Sequence, residues 1–183
     1  LLTEKLQQKK KIYPLILREP GGTRISEDIR RMLLSVDNKM MDDICELMLY
    51  EAARAQLVAE RILPELNNGK FIILDRYYHS TIVYQSNGRG LDRGLIDCLN
   101  RAAVREAEPT LTFIIDISVE EAARRRSDAG PDRIETSSAD FFQRVREGYL
   151  QLAEKNSSII LIDGNQDRNY ISNAIWTYVD KLI

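Results

Sequence analysis

Apolar and polar positions alternate in blocks along this chain, and the blocks predict strands separated by helices. Four short runs are almost wholly apolar, as expected of strands buried on both faces: 12–17, 71–75, 111–117 and 159–164. Elsewhere apolar residues recur every three or four positions, which is typical of a helix with one buried face. The predicted helices cover 26–34, 42–67, 80–86, 92–106, 118–126, 138–155 and 168–182. Strands that alternate with helices predict an α/β fold with a parallel sheet between helical layers.

Length and composition are those of one globular domain. The chain has 183 residues, 44% hydrophobic and 30% charged, and a domain of this size buries enough surface to need no metal or disulfide. We therefore expect 1–183 to form a single domain. No apolar run approaches the roughly 20 residues of a membrane span, and two cysteines are too few for a secreted disulfide framework. A cytoplasmic protein that does not enter the membrane is expected.

The charge balance argues against a protein that wraps nucleic acid. Lys and Arg number 26 against 28 Asp and Glu, a formal net charge of −2, whereas such proteins are strongly basic. A local basic pocket for a small anion is still compatible with this balance. One histidine and two cysteines also argue against a structural zinc site.

Polar residues follow each predicted strand, at the sheet edge where ligands bind in folds of this class. The loop after the first strand is Arg18-Glu19-Pro20-Gly21-Gly22-Thr23, and Asp75-Arg76-Tyr77 follows the second. A carboxylate at Asp75 can hold Mg²⁺ or its waters, and the adjacent guanidinium of Arg76 can hold a phosphoryl group. The alternatives stay open at this point: a loop-bonding Asp75, or a surface ion pair of little energetic weight.

Tyr50 and Arg54 are one turn apart on the long predicted helix and so share a face. An aromatic ring beside a guanidinium suits a flat heterocycle, because one stacks and the other donates hydrogen bonds. In the simpler alternative, Tyr50 packs in the core and Arg54 pairs with Glu51 or Glu46.

Two further groups could contact a nucleotide. Gln85 offers a donor and an acceptor to a base edge, and Thr81 can support it from one turn away. Arginines also flank the Gly130-Pro131 loop, at 124, 125, 126 and 133. They could form a flap that closes over phosphates, or they could be solvated residues that complement a helix end.

Six motifs follow one another along the whole chain: Arg18-Glu19-Pro20-Gly21-Gly22-Thr23, Asp75-Arg76-Tyr77 with Ser80, Tyr84-Gln85, Gly88-Arg89-Gly90, Asp132-Arg133-Ile134-Glu135 and Phe142-x-Arg144-Val145-Arg146-x-x-Tyr149. Their order and spacing resemble those of bacterial thymidylate kinases. The resemblance implies a P-loop nucleoside monophosphate kinase fold, a three-layer sandwich with helices on both faces of a central parallel sheet. It also implies an enzyme that uses ATP and Mg²⁺ to convert dTMP to dTDP for dTTP synthesis. Members of this family are usually homodimers that pack through helices, which apolar positions on 42–67 would permit.

The resemblance implies that ten residues bind the acceptor: Glu19, Pro20, Arg30, Tyr50, Arg54, Arg76, Tyr77, Thr81, Tyr84 and Gln85. Tyr50 is expected to stack on thymine and Arg54 to bond a base carbonyl. Tyr84 is expected near the 2′ carbon of the sugar, where it would disfavour ribose. Arg30 and Arg76 are expected to hold the acceptor's phosphate.

A second set of residues is implied for the donor and the reaction. Asp75 is the expected metal ligand. The expected catalytic residues are Asp75, Arg76, Arg126 and Arg133. A lid at about 124–137 is expected to close over ATP, whose binding residues would be Arg124, Arg125, Arg126, Asn165 and Gln166. His79, beside this group in sequence, is expected to be a bystander.

The chain departs from the family in three ways: no segment matches the glycine-rich phosphate loop G-x-x-x-x-G-K-[ST], Tyr50 replaces the commoner Phe, and His79 and Thr81 stand where many relatives carry an acid and Ser. The resemblance places that loop and a first strand before Leu1. Two alternatives to a dTMP kinase therefore stay open. One is a related kinase whose acceptor is dUMP or UMP, which a panel of acceptors would identify. The other is a nucleotide-binding module without activity, which the protein's N-terminal sequence would test.

Overall fold

The computed structural model describes residues 1–125 and 130–183. Its strands and longer helices follow one another along the chain as the sequence predicts. Strands β1 to β4 are Leu15–Arg18, Ile72–Asp75, Thr112–Asp116 and Ile159–Asp163. Helices α1 to α9 are Leu2–Lys5, Arg24–Leu34, Asp43–Leu57, Leu63–Asn67, Tyr78–Thr81, Arg93–Val104, Val119–Arg125, Ala139–Lys155 and Arg168–Val179. π-Helical segments continue α1, α3 and α5 at Leu6–Lys10, Val58–Ile62 and Ile82–Gly88, and a 3₁₀ turn covers Val36–Asn38.

The described strands are parallel, as predicted, and they pair two by two. Strand β1 pairs with β2 so that Arg18 lies opposite Asp75. Strand β3 pairs with β4 so that Asp116 lies opposite Asp163. Each pair therefore ends in two neighbouring polar residues, because parallel strands run out at the same edge. This register places the charged groups predicted from sequence at the carboxyl ends of the strands.

Helix α3 is the element on which the core is organised. Its residue Leu57 packs with Leu17 of β1 and Val104 of α6. Leu47, almost three turns earlier, packs in a second cluster with Phe141 of α8. A third cluster joins α3 to α2. Any functional side chain on α3 is consequently held between packed elements, and its position is fixed by close-packed neighbours.

Three predicted boundaries were wrong. The first strand begins at Leu15 and not at residue 12, because Pro14 has no N–H for a ladder hydrogen bond and Tyr13 is exposed. Helix α2 is capped by Thr23, whose Oγ1 accepts from the Ser26 N–H over 3.1 Å. Ser26, the predicted cap, lies inside the helix. The helix predicted at 80–86 begins earlier, at Tyr78.

The predicted helix over 42–67 is confirmed as α3, a π-helical segment and α4 in direct succession. Its cap is Asp42, whose carboxylate accepts from the N–H groups of Ile44 and Cys45. Across residues 1–125 and 130–183, no helix has the length and apolar character needed to cross a membrane.

Candidate active site

A small cavity opens at the carboxyl ends of β1 and β2. Nine residues line it: Glu19, Pro20, Tyr50, Arg54, Arg76, Ser80, Thr81, Tyr84 and Gln85. Eight of the nine belong to the acceptor-binding set predicted from sequence, and Ser80 is the addition. The fold therefore brings together residues from two strand ends, one helix face and the turns after β2. Their individual roles stay predictions.

Arg54 forms one wall of the cavity, and protein acceptors satisfy all five of its N–H groups. Nε and Nη2 donate to Oε2 of Glu19 over 3.1 and 2.9 Å. Nη1 donates to Glu51 over 2.6 Å and to Asn100 over 3.1 Å. Nη2 also donates to Oγ1 of Thr81 over 2.9 Å. Arg54 thus lines the cavity and also pairs with Glu51, so both interpretations offered for it from the sequence apply. These bonds fix its side chain in place.

Two buried carboxylates share the single positive charge of Arg54. Burial raises the pKa of Glu19 and of Glu51 above the ordinary value, and the attraction of Arg54 only partly offsets it. Within the described residues, Glu19 Oε1 and Glu51 Oε2 accept no hydrogen bond. Because Glu19 lines the cavity, its Oε1 is an acceptor in the cavity wall that no described protein group uses.

Arg76 lies at the mouth of the cavity, where β2 turns into α5. Its φ is +65°, a conformation that costs about 1–2 kcal/mol for a residue with a side chain and that clusters at functional sites. The guanidinium lies 5.5 Å from the ring centroid of Tyr84, and Nη1 lies 3.4 Å from the Tyr84 hydroxyl. Ser80 and Tyr149 support this region through a 2.8 Å hydrogen bond between their hydroxyls. Arg76 is exposed, so a ligand can reach its N–H groups.

Asp75, beside Arg76, is exposed at the end of β2. In the described part of the chain no donor bonds to its carboxylate, and no three potential ligands converge to hold a metal ion. Mg²⁺ commonly uses one or two protein carboxylates and takes its other ligands from water and nucleotide phosphates. Asp75 fits that donor set only if a nucleotide supplies the remaining ligands.

Two arginines lie next to the cavity beside the glycine loop. Arg30 Nη1 donates to the carbonyl oxygen of Pro20 over 3.0 Å. The pKa of Arg30 is lowered by partial burial and then by the positive charge of Arg18. Arg18 pairs with Glu27, whose Oε1 also accepts from the Gly22 N–H over 2.8 Å. The loop therefore holds two guanidinium groups close together, an arrangement that favours an anion.

Tyr77, predicted to bind the acceptor, lies behind the cavity and not in its lining. Its hydroxyl donates to the carbonyl oxygen of Ala107 over 3.2 Å, and its ring packs in the core. The Arg54 guanidinium lies 5.8 Å from the centre of this ring. Tyr77 is thus placed to support Arg54.

Glu46 is a buried residue in contact with the cavity lining that the sequence did not single out as part of the site. Only 1% of its surface is exposed. Its carboxylate accepts from Gln85 Nε2 over 2.9 Å and from Arg89 over 3.1 and 3.0 Å, and Arg133 Nη2 lies 2.6 Å away. It therefore does not pair with Arg54. The sequence contained two indications of this role. Glu46 lies one helical turn before Tyr50, and the motif residues Arg89 and Arg133 each require an acidic partner if they are buried.

The predicted lid arginines are placed differently from one another. Arg133 is buried, and its Nε donates to the carbonyl oxygen of Leu33 over 2.8 Å. It is not among the residues that line the cavity. The Glu46 carboxylate provides the physical reason, because a buried guanidinium needs a paired acid. Arg124 and Arg125 both pair with Glu121. Arg126 lies outside the described residues.

The loop after β4 carries the other predicted donor-site residues. Asn165 Nδ2 donates to one oxygen of Asp163 over 2.9 Å, and Gln166 Nε2 donates to the other over 2.8 Å. Hydrogen bonds from Gln166 and then from Asn165 lower the pKa of Asp163. Asn165 and Gln166 are exposed, at the carboxyl edge of the second strand pair, away from the cavity lining.

Comparison with known proteins gives one consistent result. The family model for thymidylate kinase matches residues 1–175. A thymidylate kinase from Caldanaerobacter subterraneus subsp. tengcongensis is 44% identical over 169 residues, covering 91% of this chain and 80% of the relative. One from Kosmotoga olearia is 42% identical over 177 residues, covering 96% and 84%. The crystal structure of thymidylate kinase from Ehrlichia chaffeensis superposes with a TM-score of 0.76 at 30% identity, covering 98% of this chain and 87% of that one.

Proposed function

The chain belongs to the thymidylate kinase family, enzymes that phosphorylate dTMP with ATP, and we propose that the cavity at β1 and β2 is its dTMP site. The observation that carries this proposal is the convergence of eight family-matched residues on one cavity. The product would be dTDP, and ADP would be released. The superposition with a solved thymidylate kinase supports the α/β nucleoside monophosphate kinase fold.

In this proposal the inner part of the cavity holds the base. Tyr50 supplies a ring for stacking, and Thr81 and Gln85 supply hydrogen bonds. Arg54 contacts the base carbonyl with an N–H that it shares with a protein acceptor, since all five are already bonded. Tyr84, at the mouth beside Arg76, lies against the sugar.

The outer part of the cavity is proposed to hold the phosphate. The chemical problem is the approach of two anions, and positioned positive charge lowers that barrier. Arg76 and Arg30 are placed to supply it. The acceptor phosphate is already anionic, so no strong general base is needed. A bound Mg²⁺ would neutralise charge on the donor phosphates, and Asp75 would hold it or its waters.

The donor nucleotide is proposed to bind at the edge shared by β3 and β4. Asn165 and Gln166 present their side chains there, and Arg125 reaches the same loop. Arg124 and Arg126 complete the proposed ATP set. Arg126 and Arg133 are proposed to act in the transfer, which for Arg133 requires that it leave Glu46 when the lid closes over ATP.

We also propose a cytoplasmic homodimer. Ile44 and Met48 are adjacent on α3 and are 39% and 45% exposed, and Met40 just before the helix is 95% exposed. A second copy of this face would cover them, because apolar faces of this kind are buried in helix-packed dimers. The cysteines Cys45 and Cys98 are both exposed and unpaired, which suits a reducing compartment. Light scattering should give twice the chain mass, and Met48→Glu should lower it towards the monomer.

The activity is tested with the full-length protein in an ADP-release assay with dTMP, dUMP, UMP and dCMP as acceptors. We expect the highest kcat/KM with dTMP.

Arg76→Ala should lower kcat by about 10³-fold, as for an arginine that contacts the transferred group, whereas Arg54→Ala should mainly raise the KM for dTMP. A preference for UMP would reject the acceptor assignment. An unchanged KM in Arg54→Ala would reject the role of Arg54 in base binding.

A further inference from the structure

We propose that Glu46 is a positioning residue that fixes the orientation of the Gln85 amide and thereby restricts the cavity to pyrimidines with a protonated N3. This inference rests on the proposed function, since it concerns the base-binding end of the same site. It adds a determinant of substrate choice that does not itself line the cavity, because Glu46 lies behind Gln85.

The side-chain amide of Gln85 bonds directly to Glu46. Its Nε2 lies 2.9 Å from Glu46 Oε1, and only 1% of the residue's surface is exposed. An ionised carboxylate has acceptors only, so the NH₂ end of the amide must face it. The oxygen end must then face away from Glu46. Within the described residues no donor bonds to Gln85 Oε1, so this oxygen is an acceptor left for a ligand in the cavity that Gln85 lines.

The orientation of the Gln85 amide is fixed only while the Glu46 carboxylate is ionised. Arg89 donates two hydrogen bonds to it, and Arg133 Nη2 lies 2.6 Å away. The other titratable groups in this surrounding are Asp43, which pairs with Arg89, and Tyr50. Burial alone would raise the pKa of Glu46, but the bonds from Arg89 and Gln85 outweigh it and the pKa is lowered. Glu46 therefore stays an acceptor at neutral pH.

A second polar group in the lining is oriented in the same way. Thr81 Oγ1 accepts from Arg54 Nη2 over 2.9 Å, so its hydroxyl hydrogen points elsewhere. Thr81 is 2% exposed and lines the cavity. The lining thus offers an acceptor on Gln85 and a hydroxyl on Thr81 whose hydrogen is not turned towards Arg54, and each of the two groups bonds a buried charged residue.

The base that matches this pair has a donor next to an acceptor. Thymine and uracil carry a hydrogen on N3 beside carbonyl oxygens, whereas N3 of cytosine is a lone pair. Cytosine would place that lone pair against Gln85 Oε1, and turning the amide over would set its oxygen against Glu46. A site whose polar groups are left unpaired rejects a ligand strongly.

The test compares dTMP with 5-methyl-dCMP, which keeps the methyl group and changes only N3 and the group on C4. For the wild type we expect a large ratio of kcat/KM in favour of dTMP. Glu46→Gln keeps the size of the side chain but can donate as well as accept, so both orientations of Gln85 become possible. The ratio should fall by about tenfold or more, through KM and not kcat. Glu46→Asp, which keeps the charge, should retain more of the ratio.

Asp43→Asn is the control, since Asp43 pairs with Arg89 but bonds neither Glu46 nor Gln85; its ratio should stay within about twofold of the wild type. An unchanged ratio in folded Glu46→Gln would overturn the inference. So would an equal loss in Asp43→Asn, because the cause would then lie outside the bond between Glu46 and Gln85. If Glu46→Gln fails to fold, the double variant Glu46→Gln/Arg89→Gln restores the charge balance and carries the same expectation. A wild type without dTMP kinase activity would instead reject the proposed function.

Discussion

Arg125 Nη1 donates a 2.9 Å hydrogen bond to the carbonyl oxygen of Gly164, and so joins the end of α7 to the loop after β4. The loop is tightly packed at this point. A Cβ on Gly164 would lie 2.7 Å from Ile117 Cγ2 and 2.9 Å from the carbonyl oxygen of Asp116. The residue that follows is Asn165, so the hydrogen bond connects the start of the predicted lid to the proposed ATP site.

This connection predicts a difference between two adjacent arginines. Arg124 and Arg125 both pair with Glu121, but only Arg125 also bonds the loop. Arg125→Ala should raise the KM for ATP by about tenfold, the effect of losing one charge-assisted hydrogen bond. Arg124→Ala should raise it less, by about threefold, because Arg124 adds its charge to the proposed ATP site but makes no bond to the loop. Steady-state kinetics at saturating dTMP measures both, and equal effects would show that the bond to Gly164 does not matter for ATP.

Removal of Arg54 should destabilise the protein strongly. Its guanidinium is 1% exposed and separates two buried carboxylates, Glu19 and Glu51. In Arg54→Met those carboxylates lose the cation that they share, and we expect a loss of about 3–5 kcal/mol in the free energy of unfolding. The matched control is Arg93→Met, which breaks the exposed pair with Asp97 and should cost less than about 1 kcal/mol. Urea unfolding measures both, and similar losses would contradict the buried cluster.

The buried His79 should weaken the protein in acid. It is 7% exposed and stacks on Tyr78, and burial, then Arg54 and Arg93, lowers its pKa from 6.5 to about 4. Between these two values the unfolded chain binds a proton that the folded protein does not, so stability falls as pH drops from about 6.5 and the loss is complete near pH 4.

The magnitude of that loss is about 3 kcal/mol. His79→Gln has no group that titrates in this range, while the carboxylates of Glu19 and Glu51 titrate in both proteins. Denaturant unfolding at pH 7.5 and pH 4 should therefore show the wild type losing about 3 kcal/mol relative to His79→Gln. A constant difference between the two proteins would show that His79 titrates normally.

The glycine loop after β1 should not tolerate a side chain at Gly22. Its φ is +85°, and a Cβ would lie 2.8 Å from Leu57 Cδ1. Gly69 also has a positive φ, +71°, but a Cβ there would meet nothing within 4 Å. Both alanine variants carry the backbone penalty of about 1 kcal/mol, and only Gly22→Ala adds the overlap in the core. Gly22→Ala should have the lower Tm and the higher KM for dTMP; equal Tm values would mean that Leu57 moves aside.

Much of the fold was predictable because it follows from local patterns. The four apolar runs were strands, and the spacing over 42–67 was one continuous helical stretch, since burial on one face requires that periodicity. The errors were at boundaries. Thr23 and Ser26 are both good caps, and the choice between them was made by the carbonyl oxygen of Ala53, 27 residues away, which accepts from the Ser26 hydroxyl.

The sequence predicted eight of the nine residues that line the cavity, through motifs that resemble those of a known family, and it did not predict Ser80. It also determined the family, through motifs whose order needs no structure. Only the tertiary structure decided which charged groups pair with which. Arg54 pairs with Glu19, 35 residues away in the sequence. Arg133 pairs with Glu46 and does not line the cavity. A buried charge pairs with the opposite charge that the packing brings near it. When the two residues are far apart in the sequence, their spacing along the chain does not predict that contact.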